Sequence, residues 1–473
     1  MPIDQHTKLL YIPWHIASLL RTAGLKTWVV GGWVRDNLLE IPSKDVDLCT
    51  TALPIEVTTI LPNVHKYMSN IQGKLSVHPL GWEFGTVLVH VEMDPEGKDY
   101  QDVEVTTLRK DSDCDGRHCE VEFTEDIYED LARRDFTINA MARDFSNIDI
   151  LIDPHDGQED LKNRVIRTVG DPDKRFKEDY LRIIRACRFV GYGDGFNIEP
   201  KTWAAMIKNK EGILQISKER IRNEILSMMK TDNPSKCINA LKNAGLLEYT
   251  IPPLVDCIGV TQNVYHLQPV YEHCVATCQA ASKEKPLLRL AALLHDVGKP
   301  ATREEDEEAD EVHFYNHHIN GAEIVYNWAK KFKFPSKDCE YLSLITRHHM
   351  YHISLDTKKS TIKKWMSKTK GYYWDLIELR KADRAGNKAK EGKPLITHFL
   401  QSLIDKMKEI EEHKEPFSLK DLNISGADLI NLGMTPGPQF KIILNQLLEK
   451  VIKNANLNTR ETLLSTVKQL LEE

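Results

Sequence analysis

The chain has 473 residues, of which 41% are apolar and 28% are charged, and this composition is typical of a globular protein of about three domains. No apolar run reaches the ~18 residues that a membrane-spanning helix needs. The N-terminus lacks the cationic and apolar regions of a signal peptide, so we expect a cytoplasmic protein. The net charge of −7 disfavours a surface that is basic throughout, although a local basic patch remains compatible with it.

Cysteine usage indicates a reducing compartment. The nine cysteines are scattered, with no Cys-x-x-Cys pattern, which predicts reduced thiols rather than a disulfide framework or a zinc ribbon. Cys114 and Cys119 lie close together in a predicted loop, but we do not expect them to pair.

A strand, a glycine turn and a helix are predicted in series near the start of the chain. Residues 28–30 form an apolar run typical of a buried strand, and 34–39 resume as a helix. Gly31 and Gly32 between them permit close approach of the backbone to a ligand. This order points backbone N–H groups at an anion, and Arg35 adds a fixed positive charge. The alternative is an ordinary strand–turn–helix without a ligand.

Two aspartates follow about ten residues later. Asp45 and Asp47 flank a valine in a short predicted strand, and the two-residue period of a strand puts both carboxylates on one face. Carboxylates this close repel each other unless a cation lies between them, and oxygen ligands beside phosphate suit Mg²⁺. A pair of exposed aspartates near a turn is the alternative. Glu104, in the predicted strand 102–108, is either a third carboxylate of this group or a solvent-facing residue.

The remaining patterns predict a small mixed sheet with flanking helices, followed by a helical remainder. Helices are predicted in 1–24 and 54–61, and strands in 85–91 and 102–108. Residues 109–120 are polar and aperiodic, which indicates a mobile loop. Helical patterns dominate from about residue 150 without a convincing strand. The acidic segment 303–311 is most simply a solvated loop.

Segment 130–140 places charged side chains beside an apolar run. Arg133 and Arg134 can pair with phosphate oxygens, while Asp135 and Asn139 can bind sugar hydroxyls. Read alone, the segment is equally compatible with a helix that contains an internal Asp–Arg pair.

Segment 175–189 predicts a continuous helix with two charged residues on one outward face. Asp179 and Arg182, at positions i and i+3, project together from this helix. The default interpretation of such a pair is a surface salt bridge, which contributes little to the stability of the fold. The surrounding stretch 161–188 carries nine Lys or Arg against four Asp or Glu, a local surplus of +5.

A second group of polar residues lies in the helical half. His295 and Asp296 follow an apolar helix and supply an imidazole and a carboxylate from one point. His273 upstream and Asp383 downstream can complete four ligands for a divalent metal that activates water. Single histidines at such positions are most often surface residues.

Taken together, these motifs resemble a known family. Gly-Gly-x-x-Arg-Asp followed by Asp-x-Asp, and then Arg-Arg-Asp-Phe-Thr-Ile-Asn-Ala, resemble the polymerase-beta-type head of CCA-adding tRNA nucleotidyltransferases and bacterial poly(A) polymerases. Glu-Asp-x-Leu-Arg-x-x-Arg resembles the class II CCA-adding enzymes. The histidine and aspartate set resembles HD-type phosphohydrolases, and 422–462 resembles the C-terminal helices of CCA-adding enzymes that carry an HD domain.

The resemblance implies an α+β fold. A small mixed-sheet nucleotidyltransferase head would occupy 1–145, and a helical neck and body 146–265. An HD phosphohydrolase domain would occupy 266–395, and a C-terminal helical tail 396–473.

The implied activity is addition of CCA to the 3′ end of tRNA from CTP and ATP, without a nucleic-acid template. Asp45 and Asp47 would be catalytic and would hold two Mg²⁺. The basic stretch 162–188 would follow the phosphates of the acceptor stem, which is A-form and is recognised by shape. The implied nucleotide-binding residues are Gly31, Gly32, Arg35, Arg133, Arg134, Asp135, Asn139, Asp179, Arg182, Arg185 and Arg188.

Asp179 and Arg182 would select the base by hydrogen bonding. The carboxylate accepts from an exocyclic amine and the guanidinium donates to the neighbouring ring nitrogen, a pattern that cytosine and adenine both satisfy. Uracil and guanine present the opposite polarity and would leave polar groups unpaired. The pair is therefore expected to accept CTP and ATP and to reject UTP and GTP.

In the HD domain, the resemblance makes His273, His295, Asp296 and Asp383 the ligands of a divalent transition metal such as Mn²⁺, Ni²⁺ or Fe²⁺. His317 and His348 would hold a second metal or the phosphate, and Lys299 would neutralise phosphate charge. The expected substrates are phosphoester ends such as 2′,3′-cyclic phosphates on damaged tRNA. Arg117-His118-Cys119 departs from the family's loop, which usually has proline in the third place and which bears on switching from C to A addition.

Rival functions of two classes remain open. Within the same chemistry, the rivals are a poly(A) polymerase and an enzyme that adds only CC or only A. The lack of a strongly basic segment after Asp47 disfavours the polymerase, and the intact loop 109–119 disfavours a CC-only enzyme. The rival from another class is an HD phosphohydrolase whose head merely binds a nucleotide.

Overall fold

A computed structural model describes residues 10–43, 45–62, 74–79, 81–94, 96, 99–116, 119–263, 265–306, 311–352 and 354–472. The chain divides into two compact units, Met1–Thr250 and Ile251–Glu473. The predicted α+β class is confirmed, because the first unit contains a mixed sheet and helices dominate the rest. The finer division at residues 145, 265 and 395 stays a prediction.

The first unit is built on a seven-stranded sheet of order β3-β4-β5-β2-β1-β8-β9. Strands β2 and β5 run parallel, and the other neighbours in the sheet are antiparallel. The sheet strands are β1 (Thr27–Val30), β2 (Asp47–Thr50), β3 (Leu75–Pro79), β4 (Thr86–Glu92), β5 (Tyr100–Thr107), β8 (Ala142–Asp144) and β9 (Asn147–Ile152). Two smaller pairs are β6 (Arg109–Ser112) with β7 (Glu120–Phe123), and β10 (Val165–Ile166) with β11 (Asn197–Ile198).

Alternation along the strands decides which sheet face is polar. In β4, Val87, Val89 and Val91 are fully buried, while the residues between them are partly exposed. All four residues of β1 are buried, as expected for a strand covered on both faces. One face of the β4–β5–β2 region therefore remains available to polar side chains.

The helices of the first unit pack around this sheet and continue beyond it. They are α1 (Tyr11–Thr22), α2 (Gly32–Leu38), α3 (Pro54–Ile60), α4 (Ile127–Ala132), α5 (Gly157–Lys162), α6 (Pro172–Glu178), α7 (Leu181–Phe189), α8 (Pro200–Asn209), α9 (Lys218–Met229), α10 (Pro234–Asn243) and α11 (Leu247–Thr250). The prediction of one continuous helix over 175–189 is wrong, because two helices, α6 and α7, cover this segment. The break lies at Asp179, whose extended backbone (φ −153°, ψ 105°) forms a single β-bridge with Gly116.

The second unit is mainly helical. Its helices are α12 (Val270–Ala280), α13 (Pro286–Leu294), α14 (His317–Lys331), α15 (Ser336–His348), α16 (Lys359–Lys368), α17 (Tyr373–Gly386), α18 (His398–Glu412), α19 (Gly426–Asn431), α20 (Pro438–Lys453) and α21 (Arg460–Glu472). Separate apolar clusters lie around α16–α18 and around α19–α21. Within the described ranges, no helix combines the length and apolar character that crossing a membrane requires.

Short strands after residue 150 are a second departure from the prediction. Besides β10 and β11, the second unit contains the hairpin β12 (Arg303–Asp306) and β13 (Glu311–Phe314), where a loop was expected. All four residues of β12 are exposed, so the hairpin lacks the alternation by which a strand is recognised in sequence. Residues 307–310 of the predicted loop lie outside the described residues.

The polar segment 109–120 also differs from the prediction of a mobile loop with free thiols. It forms the β6–β7 hairpin, and Cys114 and Cys119 are joined by a disulfide, with their Cα atoms 4.0 Å apart. The seven other cysteines are buried free thiols, in agreement with the prediction for them. The expectation that Cys114 and Cys119 do not pair is therefore wrong. Arg117 and His118 lie outside the described residues.

Candidate active site and metal centre

Asp47 and Glu104 lie on the open face of the sheet, and Asp45 lies outside β2 but near enough to act on the pKa of Asp47. Leu48 pairs with Val105 across the β2–β5 ladder, so Asp47 and Glu104 point to the same side of neighbouring strands. The pKa of Asp47 is raised to about 6, first by burial and then by the negative charges of Glu104 and Asp45, against the opposing charge of Arg134. Glu104 thus belongs to the carboxylate group, and the uncompensated negative charge fits a divalent cation with oxygen ligands.

We expect Asp47→Asn to raise the thermal stability of the metal-free protein at pH 8 by an amount on the order of 1 kcal/mol. The pKa of about 6 exceeds the ordinary value of 3.8, so above pH 6 the folded state bears the full cost of ionising Asp47. The gain should shrink as the pH falls below about 6 and should vanish below the ordinary value of 3.8, where the carboxyl is protonated in both states. Calorimetry with and without Mg²⁺ tests this.

The matched control for Asp47→Asn is Asp149→Asn, which removes an exposed aspartate from β9. The substitution at Asp47 should also reduce the stabilisation that Mg²⁺ confers on the parent protein. Equal responses of the two variants to pH and to Mg²⁺ would contradict a cation site at Asp47.

The glycine turn before α2 is closely packed at its first residue. Gly31 has φ +68° and ψ −123°, a conformation that L side chains rarely adopt, and a Cβ there would lie 2.8 Å from Arg134 Nη1. Gly32 has an ordinary φ, and a Cβ there would lie 3.8 Å from its nearest neighbour, Arg35 Nη2. The close approach predicted for the Gly-Gly pair therefore falls on Gly31, where the backbone meets the arginine beside the carboxylates.

Gly31→Ala is expected to cost about 1–3 kcal/mol of folding stability through backbone strain and contact with Arg134. Gly32→Ala, the matched control, should cost much less, because the added methyl group has room. Urea unfolding of both variants measures the difference. Equal destabilisation would show that the turn is not constrained at Gly31.

A continuous hydrogen-bond network joins residues predicted to bind the nucleotide. Arg35 Nη1 donates to Asn139 Oδ1 at 2.7 Å, and Asn139 Nδ2 donates to Asp135 Oδ1 at 3.1 Å. Arg185 Nε donates to Asp135 Oδ2 at 2.7 Å, and Arg185 also faces Glu224 of α9 at 3.6 Å. These side chains come from four separate segments and hold one another in place.

Arg133 and Arg134 are fixed by one buried carboxylate. Asp130 accepts from Arg133 Nη2 at 2.7 Å and from Arg134 Nη2 at 3.0 Å. Burial raises the pKa of Asp130, but the two guanidinium charges outweigh it and leave the pKa below its ordinary value. The internal Asp–Arg pairing considered as the alternative for this segment is therefore present. It leaves Arg134 close enough to Asp47 to lower that carboxyl's pKa.

The predicted pair of Asp179 and Arg182 is not formed in this structure. Asp179 Oδ2 accepts from Arg220 Nη2 at 2.7 Å. Arg182 is turned towards Glu178 Oε2, at 2.7 Å, and donates to the carbonyl oxygen of Arg133 at 3.0 Å. Arg220 was not among the predicted residues, because it lies 41 positions beyond Asp179.

The basic stretch 161–188 is largely neutralised within the protein. Seven of its nine basic residues form ion pairs, namely Arg164, Arg167, Arg175, Lys177, Arg182, Arg185 and Arg188. Lys162 and Lys174 are exposed. The surplus of +5 counted along the chain therefore overstates the positive charge that this stretch presents to a partner.

The second unit gathers histidines and aspartates in its interior. Nδ1 of His295, His317 and His349 each lies 2.7–2.8 Å from the backbone carbonyl three residues earlier. Because a carbonyl can only accept, Nδ1 carries the proton and Nε2 is left as the ligand atom. Each of these three rings is thereby oriented for metal binding.

Asp296 lies at the centre of this group. Its Oδ2 is 3.2 Å from His295 Nε2 and 3.7 Å from His273 Nε2, while its Oδ1 is 3.4 Å from His317 Nε2 and 3.5 Å from His349 Nε2. The two oxygens thus face two triads, each with ligand atoms within 4.8 Å of one another.

Two further observations on the first triad fit a metal ion there. His273 is fully buried, and its Nδ1 makes no hydrogen bond to the described residues. Asp383 Oδ1 lies 3.0 Å from His273 Nε2, so all four predicted ligands converge. Lys299 Nζ donates to Asp296 Oδ2 at 2.6 Å, so here it compensates the charge of the aspartate itself.

His349, rather than the predicted His348, lies in the second triad. Burial lowers the pKa of His349 to about 4, which keeps its ring neutral and available as a ligand. His348 is the last residue of α15. Burial lowers the pKa of its ring, and the positive charges of Arg347, Lys368 and His318 lower it further. Adjacent histidines point in different directions from a helix end, and the sequence does not indicate which one faces inward.

We expect His349→Ala to reduce the divalent metal that the purified protein retains, and His348→Ala to leave it unchanged. Elemental analysis after incubation with Mn²⁺, Ni²⁺ or Fe²⁺ and removal of free metal measures the content. The neighbouring substitution is the control for general damage at the end of α15. Loss of metal from His348→Ala alone would contradict the assignment of His349.

Four stretches of the chain match known protein families. Residues 27–167 match the family described as the Poly A polymerase head domain, and 195–257 match the family called Probable RNA and SrmB-binding site of polymerase A. Residues 263–385 match the HD domain family, and 362–467 match a family described as tRNA nucleotidyltransferase domain 2, putative.

Two full-length proteins and one solved structure resemble the chain over most of its length. The A-adding tRNA nucleotidyltransferase of Deinococcus radiodurans is 32% identical over 70% of this chain and 77% of its own length. The CCA-adding enzyme of Ligilactobacillus salivarius is 29% identical over 97% and 96%. The fold is similar to that of the Bacillus stearothermophilus CCA-adding enzyme, with a TM-score of 0.63, 24% identity and coverage of 98% of each chain.

Proposed function

We propose, from the premise that this chain belongs to the family of CCA-adding tRNA nucleotidyltransferases, that it adds C, C and A to the 3′ end of tRNA from CTP and ATP without a nucleic-acid template. The observation that carries the proposal is the group of Asp47 and Glu104 on the open face of the sheet, with Asp45 near them. Burial first, and then the negative charges of Glu104 and Asp45, raise the pKa of Asp47 to about 6, and a cation would neutralise that negative charge.

In the proposed reaction, the carboxylates would bind metal ions and the nearby arginine would bind the phosphates of the nucleotide. Asp45 and Asp47, with Glu104, would hold Mg²⁺, which when bound supplies activation of the attacking hydroxyl and stabilisation of the leaving pyrophosphate. Arg134 lies beside Asp47, in the place where a guanidinium would meet the phosphates of the nucleotide. Gly31 permits close approach of the backbone at the same point.

The buried network supports the selection of a ribonucleotide. Asp135 and Asn139 would accept and donate hydrogen bonds to the ribose hydroxyls, and Arg35, Arg185 and Glu224 hold these two side chains in position. Asp179 would accept from the exocyclic amine of cytosine or adenine. Arg182 would donate to the adjacent ring nitrogen after leaving Glu178.

The direct test is incubation of purified protein with Mg²⁺, labelled nucleotides and tRNA that lacks its 3′ CCA. We expect incorporation from CTP and ATP and none from UTP or GTP. Asp45→Ala should abolish incorporation without unfolding the protein, because Asp45 is exposed and lies outside the strand. A protein that incorporates no nucleotide under these conditions would refute the transferase proposal.

A second candidate is addition of the terminal A alone, which the A-adding relative from Deinococcus radiodurans favours. Two substrates separate the candidates, namely tRNA that lacks CCA and tRNA that already ends in CC. An enzyme for all three residues extends both substrates to CCA. An A-adding enzyme extends only the second, and in that case the first candidate is rejected.

We further propose that the second unit is a phosphohydrolase in which Asp296 and the residues around it would hold divalent metal ions. Its ligands would be His273, His295 and Asp383 on one side and His317 and His349 on the other. Metal ions held there would activate water for attack on a phosphoester, and Asp296 would be the shared ligand. The proposed substrates are phosphodiester ends of RNA, including 2′,3′-cyclic phosphates.

The hydrolase is tested with bis-p-nitrophenyl phosphate and with an RNA that ends in a 2′,3′-cyclic phosphate, in Mn²⁺, Ni²⁺ or Fe²⁺. His295→Ala should abolish hydrolysis, since it removes a buried ligand, while Asp45→Ala should leave hydrolysis intact. For nucleotide incorporation we expect the opposite, namely that Asp45→Ala abolishes it and His295→Ala leaves it intact. Hydrolysis that survives His295→Ala would contradict the proposed centre.

A further inference from the structure

We infer that Arg220 is a positioning residue for base selection, which acts through Asp179, and this inference rests on the proposed transferase activity. Arg220 lies in the first turn of α9, where its backbone N–H is 3.4 Å from the capping hydroxyl of Ser217. Its Nη2 donates to Asp179 Oδ2 at 2.7 Å. The pair is partly exposed, at 36% for Arg220 and 23% for Asp179, so an incoming base can reach the carboxylate.

Two donors fix the plane of the Asp179 carboxylate. Oδ1 accepts from the backbone N–H of Leu181 at 3.1 Å, and Oδ2 accepts from Arg220. Each carboxylate oxygen has two lone pairs, so each retains one acceptor site. Those remaining sites have a fixed direction, and a fixed acceptor is what discriminates an exocyclic amine from a carbonyl.

The backbone at this point is held independently of Arg220. Tyr180 N–H donates to the carbonyl of Gly116 at 3.2 Å. The ring of Tyr180 lies tightly between two glycines, since a Cβ on Gly116 would meet it at 2.4 Å and one on Gly212 at 2.2 Å. Loss of the arginine side chain should therefore leave the segment in place and free the carboxylate of Asp179 to rotate.

The side chain of Arg182 does not restrain the carboxylate of Asp179 in this structure, because it donates to Glu178 and to the backbone of Arg133. A partly exposed ion pair such as Arg220–Asp179 contributes little to stability. The ion pair therefore serves to orient the carboxylate of Asp179. Loss of the pair should change the preference among nucleotides and should leave folding stability nearly unchanged.

The first experiment compares Arg220→Ala with Arg220→Lys and with the control Arg222→Ala, which removes the same charge from the opposite face of α9. Incorporation of each nucleotide into tRNA lacking CCA gives kcat and KM separately. We expect Arg220→Ala to raise the KM for CTP and to reduce the preference for CTP over UTP about tenfold. Arg220→Lys should restore part of the preference, and Arg222→Ala should match the parent protein.

A double-mutant cycle then tests whether Arg220 acts through Asp179. In an Asp179→Ala background, the further change Arg220→Ala should leave the CTP to UTP ratio unaltered. Where turnover is too slow to measure, the same cycle is read from the Kd values of CTP and UTP by calorimetry. Additive effects, or an equal loss of all four nucleotides from Arg220→Ala, would overturn the inference.

The cycle separates this inference from the proposed function. If the parent protein incorporates no nucleotide, the transferase proposal fails. If the parent is active and Arg220→Ala keeps its preference for CTP, the transferase stands and the inference about Arg220 is rejected.

Discussion

The ion pair between Asp135 and Arg185 connects the segment that follows α4 to α7, the helix that follows Asp179. Burial raises the pKa of Asp135, but Arg185 and Asn139 outweigh it, and the pKa lies well below its ordinary value. A buried carboxylate is stable only when it is paired in this way, so breaking the pair leaves an uncompensated charge. The pair also fixes Asn139, which holds Arg35. The geometry of the nucleotide site therefore depends on this one interaction.

The two units offer divalent metals different ligands. The sheet of the first unit presents carboxylates on an open face, which suits a hard cation that also binds phosphate. The second unit surrounds Asp296 with buried imidazoles, three of which donate the Nδ1 proton to the backbone, and this suits a transition metal. Each set of ligands lies within one unit, so the transferase and the proposed hydrolase can be inactivated separately.

Local patterns predicted the candidate site residues, and tertiary contacts determined their partners. Asp45, Asp47 and the His295–Asp296 pair follow from spacing and from their position after apolar elements, and Glu104 followed as an alternative from strand alternation. The break at Asp179 was missed because it depends on a bridge to Gly116, which is remote in sequence. His349 was missed because neighbouring histidines at a helix end are equivalent in sequence. Arg220 lies outside every recognised motif, and the exposed strand β12 has no apolar period.

The central claim is that protein side chains, rather than a nucleic-acid template, select the incoming base, with Asp179 as the acceptor. Asp179→Asn tests it most directly, because an amide of the same shape replaces an acceptor-only group with one that also donates. Competition between CTP and UTP for addition to tRNA lacking CCA is the measurement, with Asp173→Asn on α6 as the control. The account predicts a marked gain of UTP incorporation relative to CTP in Asp179→Asn alone. An unchanged preference for CTP would contradict it.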